Sequence, residues 1–372
     1  MEKMTKSDFK LGFGLMRLPK LPDGSIDVQQ TTDMVDLFME AGGTYFDTAF
    51  VYDNGESEAT IRKALVDRYP RDSFTLATKL HAGRCSSEEE AKAQFYTSLE
   101  RTGAGYFDFY LCHALQRNYY KKYDEFHIWD FVKELRAKGL VKHCGFSFHA
   151  DPELLEELLN AHPDVDFVQL QINYADWENP GVASRRNWEI CKAHGKPVVV
   201  MEPVKGGILA DPIPAAKEIF DAFGNGLSYA SWAVRYVAEK ENIMVVLSGM
   251  SSLDQMKDNL SYMKDFKPLS DAEEDVIRRV QKALDEDQSI PCTACHYCTE
   301  GCPQNIPIPE IFAVHNRKKG SPRFRTVREY NIVTQGRGLA SDCVQCGQCE
   351  SVCPQHINII ELLEQCRELE NN

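Results

Sequence analysis

No apolar run in this 372-residue chain approaches the ~20 residues needed to cross a bilayer; residues 242–250 are typical of its longest stretches. Positive charge is scarce too. Forty-two Lys and Arg stand against 56 Asp and Glu, a net of −14, which argues against nucleic acid as a main partner. Residues 1–10 are charged and lack an apolar core, so no secretory signal is read there and a cytoplasmic location is expected. A low-complexity linker is missing as well. Apolar residues make up 43% and charged residues 26%, a balance that excludes global disorder and fibrous repeats. The glycine fingerprint of a dinucleotide-binding open sheet is also absent, because Gly12-Phe13-Gly14 continues as Leu15-Met16-Arg17.

What is present is alternation. Eight apolar, β-branched or aromatic runs (residues 11–18, 44–49, 74–80, 107–114, 141–148, 167–174, 197–204 and 243–250) alternate with amphipathic helical stretches of ten to fifteen residues. Gly42, Gly139 and Gly195 close helices in the usual C-terminal manner. Eight strand–helix units over roughly 250 residues predict an α/β fold, a (β/α)8 TIM barrel of parallel strands, with an open doubly wound sheet as the competitor. After a charged helical stretch, 271–287, the composition changes. The predicted units are residues 1–285, the barrel, and 286–372, a small, mainly helical ferredoxin-like module.

Nine of the thirteen cysteines lie between Cys292 and Cys366. Eight of them form two copies of Cys-x-x-Cys-x-x-Cys-x-x-x-Cys-Pro: Cys292, Cys295, Cys298, Cys302 and Cys343, Cys346, Cys349, Cys353. This is the spacing of 4Fe-4S binding in two-cluster ferredoxins, where the fourth cysteine serves the other cluster. Cys353 is therefore assigned with Cys292, Cys295 and Cys298, and Cys302 with Cys343, Cys346 and Cys349. Structural zinc, the plainer alternative, gives no reason for the pattern to occur twice. Between the motifs Arg317, Lys318, Lys319, Arg323, Arg325 and Arg328 form a basic run without Asp or Glu. It reads either as a solvated face or as a docking patch for an acidic, ferredoxin-type electron carrier.

Four chemically able residues fall at or just beyond predicted strand ends, where barrel active sites are built: Asp47, Tyr52, Lys79 and His113. A phenol is a poor acid near neutral pH, an ammonium beside it favours the phenolate, and a carboxylate holds that ammonium. An imidazole can orient a carbonyl oxygen while the phenol donates its proton. Phe50, Tyr174 and Trp177 are candidate apolar walls of the mouth.

These residues, in the segments 12–17, 46–52, 78–79, 111–114, 145–147, 171–174, 201–203 and 248–259, resemble the aldo/keto reductase superfamily. With the carboxyl-terminal module, the chain resembles that family's iron–sulfur branch. The resemblance implies Tyr52 as general acid, Lys79 and Asp47 tuning it, and His113 orienting substrate. It also implies an extended NAD(P)H held by Gly14, Met16, Ser147, Gln171, Gly206, Gly207, Ser248, Gly249, Met250, Gln255 and Asn259. Some positions depart from the family pattern. Phe148 follows Ser147, Met201 replaces a stacking aromatic, and the cations that grip a 2′-phosphate align with Gly249 and Gln255, which leaves Lys205 as a substitute.

The implied activity is reduction of a small-molecule carbonyl, or oxidation of an alcohol. Hydride carries two electrons whereas each cluster takes one, so a flavin-linked (FMN or FAD), ferredoxin-coupled reductase is the alternative on the same barrel. A non-catalytic redox sensor is a third reading.

Overall fold

A computed structural model describes residues 4–287, 289–318 and 322–370. Lys319, one of the basic run, lies outside them. Eight strands close a parallel barrel in chain order: β1 (Leu11–Gly14), β2 (Tyr45–Asp47), β3 (Thr75–Leu80), β4 (Phe107–Leu115), β5 (Val141–Phe148), β6 (Phe167–Gln171), β7 (Val198–Met201) and β8 (Ile243–Ser248). Each expected run carries one strand. The runs are nearly continuous in apolar residues because strands of a helix-wrapped sheet are buried on both faces.

Side chains from six of the strands fill the barrel interior: Tyr45, Ala77, Phe109, Leu111, Phe167, Val199, Val245 and Leu247. Outside, a larger core joins strands to helices through residues such as Phe38, Phe95, Leu155 and Trp232. One helix, Pro214–Phe223, was not expected. It lies in the long segment between β7 and the helix Tyr229–Ala238, and Asp271–Asp285 packs on it. That last helix starts with a capping box of Ser270 and Glu273, and Arg235 grips Glu273 through both carboxylate oxygens at 2.7 and 3.1 Å. It is thereby fastened to the barrel wall.

The carboxyl-terminal module is mainly helical, with a core of its own that includes Ile306, Ile311, Phe312, Tyr330 and Leu363. It sits on the strand-end mouth of the barrel. Four loops reach it: Arg84 after β3 pairs with Glu300 (2.5 Å), and Asn118 after β4 donates to the Ser351 carbonyl (3.0 Å). Arg17 after β1 donates to the Thr293 carbonyl (2.9 Å), and Lys205 after β7 donates to Gln355 (2.9 Å). Among the described residues no helix is long and apolar enough to cross a membrane.

Candidate active site

Register puts the strand ends side by side. Gly14 pairs with Asp47, Asp47 with Ala77, and Lys79 with Leu111, so three neighbouring strands deliver their polar residues to one rim. Tyr52 comes from a tight turn in which Asp53 (φ 47°), Asn54 (φ 54°) and Gly55 (φ 91°) are all left-handed. At Gly55 a Cβ would come within 2.5 Å of the Arg101 guanidinium, so the position needs glycine. Lys20 pins the turn by donating to Asp53 at 2.6 Å.

The four residues meet. Lys79 Nζ donates to Asp47 Oδ1 (2.5 Å) and to the Thr48 carbonyl (2.6 Å), and stands 3.4 Å from Tyr52 Oη. The His113 ring packs edge-on against Tyr52, with centroids 5.8 Å apart. Lys79, Asp47 and His113 are buried. Burial pushes the Lys79 ammonium down, and it pushes the Tyr52 phenol well up, with the Asp47 and Glu202 charges adding to it. The ammonium does not make a phenolate here because Asp47 offsets its charge at contact distance; Tyr52 keeps its proton. Burial also drives His113 well below its usual value, helped by His81 and Lys79, so the imidazole is neutral.

Tyr52 and Asp47 open onto a cavity of about 500 Å3. Gly14, Met16, Gly206, Gly207, Ser248, Gly249, Met250, Gln255 and Asn259 all line it. Ser147 and Gln171 do not: Ser147 Oγ accepts the Ala114 N–H (2.6 Å), and Gln171 donates to Asp176 (3.1 Å). Lys205 is no substitute for a missing phosphate clamp. Its ammonium is buried against Asp176 and Gln355, outside the cavity lining. Of the expected apolar walls, Tyr174 and Trp177 pack on Tyr236 in the helical layer and Phe50 lies under Arg101.

Four residues that sequence reading passed over belong to this region. Gln169 lines the cavity, as Asp47 does; its inward position follows from the two-residue alternation of β6. Arg17 and Glu202 line the cavity 3.7 Å apart. Tyr297, between Cys295 and Cys298, lies close enough for its phenol to feel Tyr52, Cys295 and Arg84, and Arg84 sits 5.7 Å from its ring. Only the way the module sits on the barrel brings it there.

In the module the eight cysteines fall into two groups. Cys292, Cys295, Cys298 and Cys353 surround one void, walled by Ile308, Pro309, Phe312, Ile357 and Ile359. Cys302, Cys343, Cys346 and Cys349 surround the other. Burial pushes Cys295 up to about 12 and Cys349 up to about 11, so these thiols need a cationic centre to exist as thiolates. Four sulfurs around one enclosed void fit an iron–sulfur cubane.

Comparison with known proteins agrees with this architecture. The model of the Aldo/keto reductase family matches residues 10–282, and that of the 4Fe-4S dicluster domain matches residues 291–358. A probable aldo-keto reductase 1 of Glycine max is 28% identical over 179 residues, 45% of this chain; the match spans about half that protein's length (48%). The NADH-specific methylglyoxal reductase of Escherichia coli is 21% identical over 322 residues, covering 74% of this chain and 95% of that one. Aldo-keto reductase AKR11C1 from Bacillus halodurans, in its holo form, superposes with a TM-score of 0.59 at 24% identity, covering 73% of this chain and 91% of its own. An aldo-keto reductase from Klebsiella pneumoniae in complex with NADPH gives 0.57 at 20%, covering 75% and 92%. These two likenesses speak for the fold alone. The barrel with its strand-end site, followed by a 4Fe-4S domain, makes this chain a member of the aldo/keto reductase family.

Proposed function

We propose that the chain reduces a small-molecule carbonyl, or oxidises the corresponding alcohol, with Tyr52 as the proton donor and acceptor. The observation that carries this is the contact of Tyr52 with Lys79 and His113 at the wall of a cavity able to hold a dinucleotide. A reduced nicotinamide bound there supplies hydride to the carbonyl carbon. Tyr52 gives its proton to the carbonyl oxygen, and the neutral His113 ring offers an N–H that orients that oxygen. Lys79, held by Asp47, stabilises the charge left on the phenol oxygen. Buried polar atoms on the cavity wall without protein partners, Gln169 Oε1 and Asn259 Oδ1 among them, fit the amide and adenine groups of such a cofactor.

Among the described lining residues Arg17 is the one cation, whereas Asp254 and Asp258 stand beside Gln255 and Asn259. Carboxylates there suit a free ribose hydroxyl and repel a 2′-phosphate, so NADH is the expected donor.

Residues 1–285 form the catalytic unit in this reading, and residues 286–372 hold two 4Fe-4S clusters on the two cysteine groups. Ligand thiols that must stay reduced belong in the cytoplasm. A ferredoxin-type carrier is the electron partner. Arg317 and Lys318 are paired with Glu329 and Glu368, but Arg323, Arg325 and Arg328 make no ion pair among the described residues and flank the exposed Phe324 and Ile332. A flavin in the cavity is the second reading. The direct bond from the cavity wall to a cluster loop favours it, since a flavin exchanges electrons singly or in pairs.

The test is anaerobic purification followed by iron, sulfide, flavin and nucleotide analysis, with NADH and NADPH titrations read at the clusters. Chain carrying iron and sulfide for two cubanes, bleached by NADH in preference to NADPH, is the expected result. Acid-released flavin moves the reading to the second form.

A further inference from the structure

The two cysteine groups do not stand equally to the barrel. Thr293 and Gln355 wall the void of Cys292, Cys295, Cys298 and Cys353, and both are bonded to barrel residues, Thr293 to Arg17 on the cavity wall and Gln355 to the buried Lys205. Neither Thr293 nor Gln355 walls the far void, and its Cys346 is exposed. Arg17 lines the cavity and is bonded to Thr293, a wall residue of the near void. Its guanidinium lines the cavity, donates to the Gly206 carbonyl at 2.8 Å, and donates to the Thr293 carbonyl at 2.9 Å. Gly206 is left-handed (φ 64°), and a Cβ there would come within 2.6 Å of Thr293, so the two loops touch backbone to backbone.

We propose that Arg17 couples the cavity electrostatically to the cluster held by Cys292, Cys295, Cys298 and Cys353, so that an anionic diphosphate in the cavity and an electron on that cluster oppose one another. The far cluster is then the solvent-facing station and takes no part in the coupling. This rests on the dinucleotide reading of the cavity and on the iron–sulfur reading of the module.

The physics is that of one shared cation. Two of the five guanidinium N–H donors are engaged by carbonyls, and others remain to face a phosphate. Once a diphosphate neutralises Arg17, the near cluster loses a favourable positive charge, and its reduction, which adds one electron and no proton, becomes harder. Linkage requires the converse, that reducing the cluster weakens the diphosphate's binding by the same factor.

ADP-ribose tests this, because it carries the diphosphate and no hydride. Its affinity for anaerobic holoprotein is measured by calorimetry with clusters oxidised and then dithionite-reduced. We expect binding about fivefold weaker to the reduced protein, which corresponds to about 40 mV more negative for the near cluster in an EPR-monitored titration. In Arg17→Met the ratio of the two affinities should fall below about twofold, whatever happens to the affinity itself. In Cys346→Ser, which disables the far cluster, the ratio should persist. ADP-ribose that binds equally to both redox states of the wild type overturns the coupling and leaves the dinucleotide reading standing. A ratio lost in Cys346→Ser assigns the coupling to the wrong cluster and overturns it as well. No binding of ADP-ribose in either state overturns the dinucleotide reading and the coupling with it. Should Arg17→Met fail to fold, the wild-type ratio decides alone.

Discussion

The mouth of the barrel and the cysteine module hold their functional groups by opposite means. At the mouth, Asp47, Tyr52, Lys79 and His113 come from three strands and a turn spread over 67 positions, and a closed ring of backbone hydrogen bonds fixes where each one ends. In the module each motif places three thiols within seven residues, and short turns suffice to present them. The barrel owes its shape to a large apolar core that forms whatever occupies the cavity. A much smaller core serves the module, and cysteines of its two motifs are part of that core. A site built on a core keeps its geometry when empty; a site that is half of the core depends on what fills it.

The widest separation between the two regions is expected on removing iron. Chelation of the reduced protein should abolish the module's protection from proteolysis while the barrel stays resistant and keeps its circular dichroism; loss of both together would show that the barrel depends on the module. Next in size is Tyr52→Phe. Turnover should drop by about a hundredfold to ten-thousandfold with iron content and cluster reduction unchanged, and turnover that survives removes Tyr52 as proton donor.

Acid should act on the interface between the regions. Burial holds His81 at about 3 and His149 at about 4, against an ordinary 6.5, so both rings are neutral in the folded protein. Unfolded chain takes up the proton that the folded protein refuses. Their contribution is therefore full above pH 6.5 and declines as pH falls toward 4, by about 1.4 kcal/mol per pH unit for each ring. Urea midpoints at pH 6.5 and 5 should show a shallower loss in His81→Gln than in the parent.

Tyr297→Ala should change the mouth from the module's side, lowering KM for bulky carbonyls about threefold while kcat for small ones and the cluster EPR hold. An unchanged ratio of bulky to small substrates would place Tyr297 outside the substrate's reach. Smallest is charge reversal at Arg323 and Arg325, expected to slow reduction by ferredoxin about twofold at moderate salt and more at low salt. Kinetics indifferent to both the substitution and the salt remove that face as a docking site.

Strand order and barrel closure were readable because burial on both faces writes each strand as a nearly unbroken apolar run, eight times over. The cysteine grouping was readable because the ligand spacing is a local property of the chain; the structure gathers the side chains in the groups that spacing assigns. The cavity was readable only in part. Nine of the cofactor positions drawn from the family resemblance line it, but Ser147 and Gln171 are taken up by Ala114 and Asp176. Lys205 looked like a free cation in sequence and is a buried partner of Asp176. Competition among partners for one hydrogen-bonding group is decided by distances that no linear pattern contains.

From sequence alone came the repeating strand and helix periods, the two thiol motifs and the phenol, amine, carboxylate and imidazole at strand ends, since each depends on residues close along the chain or on a regular repeat. Tertiary structure alone decided that Asp47 offsets Lys79 and leaves Tyr52 protonated, that the module caps the strand-end mouth, and that Arg17 touches both cavity and cluster loop. Charge and burial act through space. Residues 17 and 293 acquire a shared electrostatic environment only when the packing of two separate cores brings them within hydrogen-bonding distance.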